Sequence, residues 1–159
     1  MPEDQLRVAV WQSERAAALQ KNSRLVQQFL AESRNNLAWH LAIVAPPDRR
    51  KPEEAIALAR QAVDAVPDTA NFWNTLGAAE SAAGHWQQSR EALEKSMSLT
   101  SGGREADWWL LALSLDRLGD PTAAESWRRR AAEAARLNTN PNPSILAVRL
   151  EYERVTGSR

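Results

Sequence analysis

Cysteine is absent from the chain. That excludes a disulfide framework and a thiolate metal site, and it fits a reducing compartment, so a cytoplasmic location is expected. Neither sign of charge dominates: Lys and Arg number 20, and so do Asp and Glu. A nucleic-acid module usually carries a basic surplus, so no nucleic-acid partner is expected. No apolar run approaches the roughly 20 residues that a membrane helix needs. The opening MPEDQLRVAV is acidic early and lacks the long apolar stretch of a signal peptide, so no membrane association is expected. Histidine is scarce: His40 and His85 stand alone, with no HExxH and no acidic residues clustered around them, so no metal site is expected. There is no G-x-S-x-G and no triad spacing, and Gly102-Gly103 lacks the following Lys of a phosphate loop. The chain is therefore expected to be no enzyme and to need no cofactor.

What is present is a chain of 159 residues, 43% hydrophobic, enough for one domain with a buried core. Seven Trp stand against six Gly, which makes Trp the main anchor residue. Strand alternation is missing and helix formers abound, so an all-α fold is expected. Residues 1–34 read as one helix, or two divided at Asn22-Ser23, with an uneven apolar face of Leu6, Val10, Trp11, Leu25 and Phe29. Ser33 or Asn35 suits the cap of a following helix, which must stop before Pro46-Pro47. Pro52, followed by Glu53 and Glu54, suits the first turn of the next helix, which ends at Pro67. Asp68 or Thr69 caps a helix that Gly84 ends. His85 to Met97 form its partner, and Thr100 to Arg104 are a joint. Another helix spans Ala106 to Leu118. Gly119-Asp120-Pro121 then serves as stop, cap and start for a helix reaching Leu137. Pro143-Ser144 opens a last helix over the segment 138–159, with Ile145, Val148, Tyr152 and Val155 on one face. Its polar side (Arg149, Glu151, Glu153 and Arg154) suits a terminal cap for a stack.

The chain repeats itself. Trp39, Trp73 and Trp108 are separated by 34 and 35 residues. Trp108, Leu111 and Ala112 reproduce the spacing of Trp73, Leu76 and Gly77, and Gly119 matches Gly84. Ala55, Ser89 and Ala124 form one column of small residues, and Ala62, Ser96 and Ala131 form another seven residues on. Gly77 and Ala78 let two helices approach closely. In period and residue types this resembles the tetratricopeptide repeat, W-x2-L-G-x2-Y then A-x3-F then P. The departures are Ala42-Ile43 for Leu-Gly, Pro46 and Glu80 in the Tyr column, Arg128 for an aromatic, and a closing Pro only at Pro67. The runs NNLAW, NFWNTLG and GGREADWWLLAL are also similar to C-terminal repeat blocks of large bacterial signalling proteins, some of them serine/threonine kinases. That likeness implies a parent protein whose catalytic domain lies outside this sequence. The resemblance implies a short right-handed solenoid of three helix-turn-helix repeats (35–68, 69–103 and 104–137) with helices flanking it at both ends.

It also implies a function. In tetratricopeptide arrays the first helices of successive repeats line a concave groove. Superposing the copies puts Leu37, His40 and Val44 in the groove columns, then Asn71, Asn74, Ala78 and Ser81, then Ala106, Trp109, Leu113, Asp116 and Arg117. Asn71 and Asn74 each carry donor and acceptor, suited to the backbone of an extended peptide, while Trp109 and Leu113 suit an apolar side chain. The competing reading makes Asn71 a helix cap and packs Trp109 on a neighbour. A carboxylate clamp would need Lys and Asn at His40 and Val44, Asn at Thr75, and Lys and Arg at Ala106 and Leu110; none of these is present. The expected partner is thus a protein or peptide. The alternative is a structural element that self-associates into a homo-oligomer or docks on another domain, its groove filled by the N-terminal helices. The basic runs Arg49-Arg50-Lys51 and Arg128-Arg129-Arg130 read as solvated charge.

Trp39, Trp73 and Trp108 fall in the packing column and are expected in the core. Trp73→Ala is expected to cost about 3–5 kcal/mol, a large part of the roughly 5–15 kcal/mol that holds a domain together. A thermal melt checks this, and an unchanged midpoint would remove Trp73 from the core.

Overall fold

A computed structural model describes residues 1–157. The last two residues of the expected terminal segment 138–159 lie outside it. Among the described residues the protein is all-α, with no strand. The helices are α1 (Glu3–Leu19), α2 (Arg24–Trp39), α3 (Pro52–Ala65), α4 (Ala70–Ala82), α5 (Trp86–Ser98), α6 (Glu105–Arg117), α7 (Pro121–Leu137) and α8 (Pro143–Thr156). Each of α1 to α7 packs on its neighbours in the chain, and α2, α4 and α6 also touch one another in series. These three helices form one layer, with α1, α3, α5 and α7 behind them. α8 leaves the succession. It packs on α6 and on the π-helical turn His40–Val44 that follows α2, about a hundred residues earlier in the chain.

The helix ends follow local chemistry. Pro52, Pro121 and Pro143 each open a helix, where their missing N–H costs nothing. Asp120 and Asn142 accept hydrogen bonds from Ala123 N and Ile145 N. Gly84 and Gly119 follow α4 and α6 with φ of 80° and 83°, a left-handed turn that side chains resist. The start expected at Ser33 or Asn35 is absent, because α2 begins at Arg24, capped by Ser23, and runs straight through. Nothing between Arg24 and Val44 breaks a helix, and Ser33 Oγ donates to Phe29 O within it. The helix boundary therefore falls at Asn22-Ser23, and no helix starts at 34/35.

α2 ends in a wider π turn, His40–Val44, closed by Ala45 N donating to His40 O at 2.8 Å. Helix ends leave carbonyls without partners. Here Arg50 supplies them, donating to Ile43 O and Ala45 O at 3.1 Å each. The backbone N–H of Lys51 donates to Leu41 O.

The small-residue columns mark where helices meet. Ala55, Ala62, Ser89, Ser96 and Ala131 are fully buried, and Ala124 nearly so. Ser89 Oγ donates to Gly77 O (2.8 Å) and Ser96 Oγ to Ala70 O (3.1 Å). One contact rises along α4 as the other descends α5, so the two helices are antiparallel. Hydrophobic side chains between the layers form one continuous core. Of the five residues read as the N-terminal apolar face, Leu6 and Val10 join it, whereas Trp11, Leu25 and Phe29 are exposed.

The three repeated Trp are wedges at the edge of this core, half-buried rather than interior. Trp73 Nε1 donates to Pro67 O at 2.7 Å and Trp108 Nε1 to Gly102 O at 2.9 Å, the same six-residue step back to the loop before the helix. Trp39 has no such loop behind it, since α2 is already helical there, and its buried Nε1 has no partner. The expected loss for Trp73→Ala therefore moves to the lower end of the range, about 3 kcal/mol.

At Gly77 a Cβ would stand 2.6 Å from Leu93 Cγ and 3.3 Å from Ser89 O. Gly77→Ala should gain about 1 kcal/mol of helix propensity and lose about 1–3 kcal/mol to overpacking against the fully buried Leu93. We expect the clash to win, visible as a lower denaturant midpoint with an unchanged slope.

Candidate functional site

The layer made by α2, α4 and α6 presents one face to α8. Three side chains of α8 point inward on the spacing of a helix stripe. Val148 is completely buried, Tyr152 nearly so, and Val155 is half-buried. Burying side chains of this size contributes about 1.5–3 kcal/mol apiece. The Tyr152 ring lies 5.0 Å from that of Trp109, tilted by 48°. Arg117 donates to Val155 O at 2.8 Å, near the end of α8.

The middle of α8 is held by charge. Glu151 is 91% buried (9% exposed) and pairs with Arg50 (2.7 Å) and Arg154 (2.6 Å). Arg50 also holds the carbonyls at the end of the π turn, so one guanidinium ties α8 to α2. Burial pushes the Glu151 carboxyl up, but the hydrogen bonds from Arg154 and Arg50 and their charges outweigh it, and it sits below the usual carboxylate range. Burial pushes the Tyr152 hydroxyl up.

The residues expected to line an open groove divide into three groups. Ser81, Trp109, Leu113 and Arg117 lie by α8: Trp109 and Arg117 bond or stack with it, and Ser81 and Leu113 line one crevice with Glu151 and Val155. Leu37 and Ala78 belong to the core, His40 is half-buried in the π turn, and Val44 and Asp116 face solvent. Asn71, Asn74 and Ala106 line a separate cleft of about 200 Å³ at the opposite end of α8. Asn74 is buried there and donates from Nδ2 to Asp107 Oδ1 at 2.8 Å, while Asp107 Oδ2 accepts from Arg104 N. It joins α4 to the start of α6, so its amide nitrogen is already committed. Trp109, read as a free anchor, is buried and donates to Glu105 Oε1 at 3.4 Å.

The C-terminal helix covers this face, which the sequence reading leaves open for a partner and its alternative fills with the N-terminal helices. Glu151 thus stands on the buried side of α8, away from the polar outer face assigned to it. The sequence reading missed Arg50, Glu151 and Tyr152 as parts of this contact. The stripe Ile145, Val148, Tyr152 and Val155 was visible, yet its spacing says only that the face is covered. The cleft adds Asn35 and Trp39, whose repeat columns gave no sign of it.

Among the described residues no three or more His, Asp or Glu gather closely enough to hold a metal ion. No helix among them is long and apolar enough to cross a membrane. No protein-family model matches the chain, and no curated protein matches it.

The carboxyl of docked Glu151 titrates below its ordinary value, so its contribution is complete at neutral pH and fades as pH falls through and below the normal carboxylate range. Lowering pH from about 7 to about 3 should release α8 and change Trp109 fluorescence before the remaining helices melt. Glu151→Gln should lose about 1–3 kcal/mol at neutral pH and flatten that acid step. A step of unchanged size in the variant would place its origin elsewhere.

Proposed function

We propose that the chain is a non-enzymatic protein-interaction module of tetratricopeptide type, a short solenoid whose concave face receives an amphipathic helix. The observation that carries this is α8 itself. An amphipathic helix lies on the α6 and α2 side of the layer, with an aliphatic anchor fully buried, an aromatic pair and a buried ion pair. This is how helix-in-groove recognition is built elsewhere: apolar anchors one turn apart with charge to fix the register. The repeat assignment is supported by the matching indole bonds of Trp73 and Trp108, the paired left-handed turns at Gly84 and Gly119, and the buried small-residue columns. The partner is then a protein segment that resembles α8 in its stripe and its central acid. The module works without cofactor, nucleic acid or membrane, in the cytoplasm.

One observation favours a second reading, in which α8 is a permanent strut and the domain docks or self-associates by other surfaces. Arg50 serves the π turn and Glu151 together, so α8 completes the fold as well as covering a face.

A labelled peptide of residues 143–157 separates the two. It should bind the full-length double variant Val148→Ala, Tyr152→Ala in the micromolar range, and bind the parent chain far more weakly because its own α8 competes. If the peptide ignores both proteins while the variant remains folded, the exchangeable-groove reading fails and the strut stands.

A further inference from the structure

The cleft at the start of α8 has its own chemistry. Two of its groups are buried polar atoms without a partner: Asn35 Oδ1 and Trp39 Nε1. Asn35 is only 3% exposed. The two residues stand four apart in one helix, so they lie one above the other on the same face. A buried acceptor and a buried donor left without partners one helical turn apart cost stability. An apolar pair would avoid that cost, so the arrangement makes sense if something else completes it.

We propose that this cleft binds a primary carboxamide. One edge of a carboxamide carries a carbonyl oxygen and an N–H side by side, which meets Trp39 Nε1–H and Asn35 Oδ1 together. A trans peptide group puts the same two atoms on opposite sides and can meet only one of them. A carboxylate has no proton to offer Asn35 Oδ1. The other wall presents Asn71, Asn74 and Thr75 from α4 and Arg104 from the loop before α6; the amide of Asn71 can meet the second lone pair and the free Oδ1 of Asn74 the second N–H, and no acidic residue lines the cleft. At about 200 Å³ the space holds a single small polar group with part of its stem, not an extended chain. The same chemistry comes from two sources: the side chain of Gln or Asn in a partner, or free glutamine or asparagine. The inference does not rest on exchange of α8, since the cleft is complete with α8 docked and Ile145 forms part of its wall.

The test follows the indole N–H resonance of Trp39 in the full chain, assigned with Trp39→Phe, during titration with free L-glutamine and with a blocked Ala-Gln-Ala peptide. Either should move it; stronger binding by the peptide identifies a partner side chain as the source, and stronger binding by the free amino acid identifies a small ligand. L-glutamate and glucose should bind at least about tenfold more weakly, the equivalent of one lost hydrogen bond. Asn35→Leu should abolish the response while leaving the melting temperature unchanged or raised, because it removes an unpaired buried oxygen. Trp39→Phe should weaken binding of glutamine as followed by calorimetry. A Trp39 resonance that no amide moves overturns the proposal and leaves the cleft to solvent. Equal binding of glutamate or glucose overturns the carboxamide assignment. A large drop in stability for Asn35→Leu would make Asn35 a structural residue instead.

Discussion

Three helices meet at Ser89, and the stacking of the helices depends on that contact. Its side chain is fully buried. Its hydroxyl donates to the backbone of Gly77 in α4 and accepts from Ser114 in α6 at 2.9 Å, so one small polar group on α5 fixes three helices. The geometry works because Gly77 has no side chain and Leu93 fills the space that one would occupy. A larger residue at either place would push α5 outward and take α6 with it. The same requirement, met by alanine, explains the buried positions of Ala55 and Ala124. Small residues here are a condition of contact between rods, and the Trp residues fill the wider gaps that such contact leaves at the margins.

Much of this was readable from the residues. Pro52, Gly84 and Gly119-Asp120-Pro121 act locally, through a missing N–H or a positive φ, and local rules placed the helices they bound to within a residue or two. The small-residue columns were readable because close packing is repeated and so leaves a period. The start of α2 was not. Ser33 and Asn35 have the chemistry of caps, but a cap works only where the chain before it turns, and no glycine or proline makes it turn there. The first copy therefore has no loop behind its Trp, which is also why Trp39 lacks the bond that Trp73 and Trp108 make. A difference between copies in the loop preceding the helix became a difference in chemistry at the indole.

The candidate site was less legible, for a separate reason. Periodicity tells which side of α8 is covered, not by what. The loop 138–142 is short, yet long enough for α8 to continue the stack or turn back across it. What decides is complementarity between distant residues: Tyr152 with Trp109 and Glu151 with Arg50. Arg50 sits in a basic run that reads as solvent-facing, and only the folded chain shows its carbonyl partners. Asn74 illustrates the converse: its type suits ligand binding, but Asp107 of the next helix takes its amide first.

A linear array of helix pairs has only neighbour contacts, and such arrays fray from their ends. Here the ion pair between Arg50 and Glu151 joins positions about a hundred residues apart. It closes the series on itself at the C-terminal side, while α1 is tied to the start of α3 by Arg7 donating to Glu54 at 2.7 and 3.0 Å and by Lys51 pairing with Glu3 at 2.9 Å. Loss of order should then take the closed helices as a single cooperative unit, with the all-or-none behaviour of a globular domain.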